Sequence, residues 1–182
     1  WGPDDHIWIT ERRGQILRLN PSNGNYTTIL NHQSTVLDGG EKGMLGMVLH
    51  PDFTNTPKLY VSYMYSSGGN KLRLSSFDWN STTEMLENEV ILINNITGGG
   101  IHDGSRLMVT EDSKILMSMG DVGSSANAQN MSNFNGKFLR VNLDGSIPTD
   151  NPNPASYIYS YGHRNPQGVC QGPNGIIYSS EH

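Results

Sequence analysis

The sequence contains one cysteine, Cys170, so no internal disulfide can staple it. Its place in the short apolar run Val169–Cys170 reads as that of a small core residue rather than a nucleophile. No run of 18 apolar residues occurs, so no segment reads as a transmembrane helix. Charge is sparse: charged residues make up 16% of the chain, and 12 Lys and Arg against 17 Asp and Glu leave a formal net charge of −5. That balance argues against nucleic acid or an anionic membrane surface as a partner. Helix signals are nearly missing, Thr83–Val90 being the one weak candidate. The chain starts at Trp1 rather than Met and stops at Glu181-His182, straight after a strand pattern. Both ends therefore read as cut, and the want of a targeting segment excludes nothing.

What is present is turn chemistry. The 21 Gly and 9 Pro, with many Asn, Ser and Thr among 182 residues, describe an all-β chain of one domain or part of a larger one. One phrase recurs: a turn with Pro or an acidic residue, then a short apolar strand closing on Ser or Thr. It occupies 3–10 (PDDHIWIT), 51–62 (PDFTNTPKLYVS), 110–118 (TEDSKILMS) and 173–179 (PNGIIYS). The closing residues, Thr10, Ser62, Ser118 and Ser179, lie about 52, 56 and 61 residues apart. A period of that size with several strands per unit predicts propeller blades. Four copies fit a small four-bladed ring, and the blunt ends fit part of a larger one.

The strand pattern around the phrase agrees. Gln15–Asn20 pairs back across Arg12–Gly14, and Leu59–Tyr65 and Lys71–Phe77 flank the turn Ser66–Asn70. In Lys137–Leu143 the alternation places Leu139, Val141 and Leu143 on one face, with Arg140 turned outward and both Lys137 and Arg140 structural. Val122–Gly136 and Ser146–Ala155 are too long for hairpin turns, which on a rigid β scaffold marks functional or mobile loops. Asp144, Asp150 and Asn151 could be read as oxygen ligands for calcium; turn chemistry accounts for them better. His6, His32 and His50 are scattered, with no pair at metal-ligand spacing, and His163, just before Arg164, reads as a packing or supporting residue rather than a catalytic one.

The stretch with the most chemistry is 101–121, IHDGSRLMVTEDSKILMSMGD. Strands at Leu107–Val109 and Ile115–Met119 joined by a polar turn would bring their flanks together, His102 on one side and Asp121 on the other. Gly98–Gly100 alongside leaves room for a ligand. From these residues alone, an imidazole–carboxylate pair and an unrelated loop histidine with a turn aspartate are equally open.

Several stretches together resemble one family, the soluble quinoprotein glucose/sorbosone dehydrogenases, or PQQ-dependent aldose sugar dehydrogenases. They are 39–53 (GGEKGMLGMVLHPDF), 101–107 (IHDGSRL), Gly120-Asp121, 136–152 (GKFLRVNLDGSIPTDNP), 161–168 (YGHRNPQG) and Ser180-Glu181-His182, in the family's order. The resemblance implies a six-bladed β-propeller, of which this chain would be an incomplete ring of roughly three to four blades, cut at both ends. It implies pyrroloquinoline quinone (PQQ) as cofactor, with calcium and further cofactor-clamping basic residues beyond residue 182. The activity implied is oxidation of an aldose at its anomeric carbon to the lactone, with electrons passed to an external acceptor, in the periplasm or outside the cell. Residue by residue, His102 matches the catalytic base and Asp121 its orienting carboxylate. Arg164 and Asn165 match the PQQ-contacting pair, and Glu41 takes the place of a sugar-contacting residue that is Gln in the bacterial glucose enzymes, which favours a broader aldose or sorbosone substrate. The alternative is a non-catalytic binding propeller like the hedgehog-interacting relatives, which tend to drift at the motif carried here by Gly162–Gln167. A calcium-dependent lactonase would need clustered acidic ligands, which the sequence does not offer.

Overall fold

A computed structural model describes residues 1–182, and it is built almost wholly of antiparallel strands. The strands are β1 (Ile7–Glu11), β2 (Gln15–Leu19), β3 (Tyr26–Asn31), β4 (Met44–Leu49), β5 (Lys58–Ser66), β6 (Asn70–Asn80) and β7 (Met85–Thr97). After them come β8 (Leu107–Val109), β9 (Lys114–Met119), β10 (Lys137–Asn142), β11 (Ile158–Tyr161), β12 (Pro166–Gln171) and β13 (Ile177–Glu181). They form four meanders, β1-β2-β3, β4-β5-β6-β7, β8-β9-β10-β11 and β12-β13. The recurrent phrase falls on β1, β5, β9 and β13, every fourth strand, so the period read in the sequence is a four-strand period.

The meanders face one another in a propeller-like array, with β4 against both β1 and β8, and β12 against β8 and β9. Strand β5 shows why. Leu59, Val61, Tyr63 and Tyr65 pack with Trp8, Ile16 and Ile29 of the first sheet. The alternate residues Tyr60 and Met64 pack with Ile115, Met117 and Leu139 of the third. A strand buried on both faces is apolar on both, and burial of each large apolar side chain contributes about 1.5–3 kcal/mol; the one small polar residue among them, Ser62, donates to the Ser105 carbonyl at 2.8 Å. The sheets come closest at β4. A Cβ built on Gly46 would lie 2.0 Å from the Ser105 carbonyl oxygen, so only glycine lets β4 approach the entry to β8.

Four readings of the sequence change. Thr83–Val90 is not helical: Met85 onward is β7, paired with β6. Three register shifts in that pairing, and left-handed backbone at Asn88 and Asn95, break the two-residue alternation and hide the strand. The only α-helix, α1 (Ser125–Gln129), lies inside the long 122–136 segment. Cys170 is exposed, directly across from exposed Tyr178 in a sheet of which these residues supply two strands. Arg140 is on the face opposite Leu139 and Val141 but is buried rather than turned to water. It donates to Asp150 at 2.9 and 3.0 Å and to Asn151 at 3.1 Å, and it pairs with Asp112. Asp150 and Asn151 therefore anchor a guanidinium, while Asp144 accepts from the Ser146 amide in a turn. Lys137 is structural as expected, fully buried, its ammonium donating to the carbonyls of Asn127, Ala128 and Asn135 at 2.7–3.0 Å.

A polar network under β5 sets an acid limit on the fold. Burial works to raise the Glu89 carboxyl, but hydrogen bonds from His32, Tyr63 and Ser75 outweigh it and bring it from 4.5 to about 2. A group depressed in the folded state adds stability above its unfolded value and loses it as pH falls toward its folded value. Wild-type stability is expected to fall between about pH 5 and pH 2, and Glu89→Gln to flatten that stretch of a denaturant-midpoint-against-pH curve.

Candidate active site

In an antiparallel meander every odd-numbered strand ends at the same edge. Glu41 follows β3, His102 follows β7, Asp121 follows β9, Arg164 and Asn165 follow β11, and His182 follows β13. Alternation of strand direction thus delivers all of them to one end of the array.

There the side chains meet. The His102 Nδ1 lies 2.8 Å from Asp121 Oδ1, and both side chains are nearly buried. Asp121 Oδ1 also accepts the Gly123 amide at 2.8 Å. A carboxylate at Nδ1 fixes the proton on that nitrogen and leaves the Nε2 lone pair free. The backbone that presents the ring is left-handed, with φ 57° at His102, and Glu41 holds it there by accepting the His102 amide at 2.7 Å. The Asp121 amide donates to the Arg164 carbonyl at 2.8 Å, tying the third sheet's loop to the fourth's. Gly120 permits the assembly: a Cβ there would sit 1.9 Å from the His102 carbonyl oxygen.

Beside the pair opens a cleft of about 340 Å³, walled by Glu41, His102, Asp103, Asn165, Gln167 and His182, with Leu45 the one apolar side chain. Its lining offers both acceptors and donors. Glu41, Asp103 and the free His102 nitrogen accept hydrogen bonds. Burial pushes the Asp103 carboxyl up, and Glu41 adds to the rise against the pull of the Gly99 amide, Lys42 and His102. Gln167 donates to Asn165 Oδ1 at 2.8 Å, so the Asn165 amide hydrogens point elsewhere. Arg164 is at the rim: its guanidinium packs on His182 and donates to the His182 carbonyl at 3.0 Å. The His182 and His102 rings are 6.5 Å apart. All five expected site residues therefore converge, four at or directly behind the wall and Arg164 through His182.

A model of the glucose/sorbosone dehydrogenase family matches residues 1–182. The chain belongs to that family. It is 36% identical over its whole length to quinoprotein glucose dehydrogenase B of Acinetobacter calcoaceticus, of which it covers 44%. It is 28% identical over 99% of its length to aldose sugar dehydrogenase YliI of Escherichia coli, covering 51% of that protein. Its fold superposes on the PQQ-bound form of aldose sugar dehydrogenase from Streptomyces coelicolor with a TM-score of 0.90 at 28% identity, over 99% of this chain and 54% of the other. The chain spans about half the length of these relatives.

Within this family member, three cleft residues escaped the sequence reading. Asp103 follows His102 directly, Gln167 stands inside the GHRNPQG run, and His182 closes the chain. Each lay in a quoted motif, but nothing in the motif says which neighbour of a key residue shares its cleft. Among the side chains present, no group of three or more His, Cys, Asp or Glu could hold a metal ion. The donors of the cleft fit PQQ, a flat quinone carrying carboxylates: Asn165, Gln167 and His182 in its lining, with Arg164 bonded to His182, offer N–H groups and positive charge.

Proposed function

We propose that this chain is the active-site half of a PQQ-dependent sugar dehydrogenase, within a six-bladed propeller, that oxidises an aldose at its anomeric carbon to the lactone. The observation that carries the reading is the His102–Asp121 pair with its free Nε2 at the cleft. The His102 Nε2 takes the proton of the anomeric hydroxyl, and Asp121 stabilises the imidazolium that results. The anomeric carbon gives up its hydrogen with the electron pair, and the carbonyl of the lactone forms. PQQ, when bound, supplies the two-electron acceptor for that hydride. Arg164 and Asn165 would hold it, a guanidinium and an amide donor able to stabilise negative charge gained by a quinone. Glu41 accepts from sugar hydroxyls while steadying the His102 backbone. Electrons then leave to an external acceptor, and calcium and a periplasmic or extracellular setting complete the reading.

The test is dye reduction by the full-length protein with added PQQ and calcium across a panel of aldoses. Turnover that depends on PQQ is expected. No turnover together with no PQQ binding would overturn the reading in favour of a binding propeller.

A further inference from the structure

One oxygen in the cleft wall has no partner. Asp103 is 2% exposed, and its Oδ1 accepts the Gly99 amide at 2.6 Å, closing the turn that carries His102. Its Oδ2 is buried and makes no hydrogen bond at all. Native proteins seldom leave a buried carboxylate oxygen so, and the exceptions call for a ligand or a task. Asp103 also lines the cleft, as do Glu41 and His102. The group that could satisfy it must be a hydrogen-bond donor small enough to be delivered beside the base. A sugar hydroxyl meets each condition.

Resting on the sugar reading of this cleft, we propose that Asp103 is a specificity-determining residue: its free Oδ2 receives a hydrogen bond from a ring hydroxyl of the substrate, next to the carbon that reacts. Gly99 fixes one oxygen of the carboxyl and so aims the other. Glu41, an acceptor in the same cleft, would take a second hydroxyl, and the two together would read the position of hydroxyls around the ring.

The decisive variant is Asp103→Asn in the full-length protein. The amide oxygen keeps the Gly99 contact, while an NH2 group replaces the free oxygen and turns acceptor into donor. The probe is 1,5-anhydroglucitol, which lacks the anomeric hydroxyl and cannot be oxidised, titrated by calorimetry. Binding is expected to weaken roughly ten- to a hundred-fold, with the melting temperature unchanged or higher because an unpaired buried carboxyl is gone. Repeated with deoxy derivatives, the loss should vanish for the one lacking the contacted hydroxyl. Equal affinity in wild type and variant would overturn the assignment, as would a wild type that does not bind the probe. A wild-type protein that oxidises no aldose but loses probe affinity on Asp103→Asn overturns the redox reading and leaves this one standing. Should the variant fail to fold, a wild-type crystal soaked with the probe decides: a sugar hydroxyl within about 3 Å of Oδ2 supports the contact, and an Oδ2 facing only water or protein overturns it.

Discussion

His102→Gln is expected to lower kcat for dye reduction by roughly 10²- to 10⁴-fold, the usual contribution of a placed general base, without releasing PQQ from the full-length protein. Glutamine matches the imidazole in reach but cannot take a proton. Asp121→Asn should lose about as much for a different reason. With the carboxylate at Nδ1, 2.8 Å away, His102 carries its proton there and keeps Nε2 basic. An asparagine can turn its NH2 toward Nδ1, which moves the ring proton to Nε2 and leaves nothing to accept the hydroxyl proton. The double variant should be scarcely worse than either single one, because base and orienter act as one unit. Cofactor content, read by absorbance after gel filtration, separates lost chemistry from lost binding. Activity of His102→Gln within about threefold of wild type would remove His102 from the reaction, and the same result for Asp121→Asn would remove Asp121 as its orienter.

The pairing on which this rests was legible because it is local. His102 and Asp121 flank the β8–β9 hairpin, whose apolar runs and polar turn can be read directly, and the hairpin's geometry does the rest. The four-strand period was legible for the same reason: β1, β5, β9 and β13 share one phrase. What depends on distant partners was not. Arg140 looks like a solvent-facing residue of an alternating strand until the loops carrying Asp112, Asp150 and Asn151 fold over it. Lys137 gives no hint of the three carbonyls it serves, since these come from the 122–136 segment and its short helix. The left-handed turn at His102 is held by Glu41 from the β3–β4 loop, and it decides that Asp103, one step on, also reaches the cleft wall. Resemblance located the residues of the site; only the packing of separate loops shows which of their neighbours share the cleft with them.

Gly120→Ala is expected to cut kcat by about 10²-fold or more, the penalty for displacing a catalytic group by some 1 Å, through a single added methyl group that touches no ligand. The backbone at Gly120 is not left-handed, so alanine is conformationally acceptable there. The difficulty is space: the new Cβ would lie 1.9 Å from the His102 carbonyl oxygen and 2.5 Å from its carbon. Both are backbone atoms that no side-chain rotation can clear. Relief requires His102 to move off Asp121, or the Gly120–Asp121 strand end to move off the Arg164 carbonyl that receives the Asp121 amide. Either motion opens the imidazole–carboxylate contact. Gly100→Ala is the control, since a Cβ at Gly100 meets nothing within 4 Å although it stands two residues from His102. It should retain activity within about twofold, the effect of an ordinary surface substitution. If Gly120→Ala were as active as Gly100→Ala, the close approach of the two loops would have no bearing on turnover. The histidine would then be held from elsewhere, and Glu41, which accepts its backbone amide, would be the one to replace next.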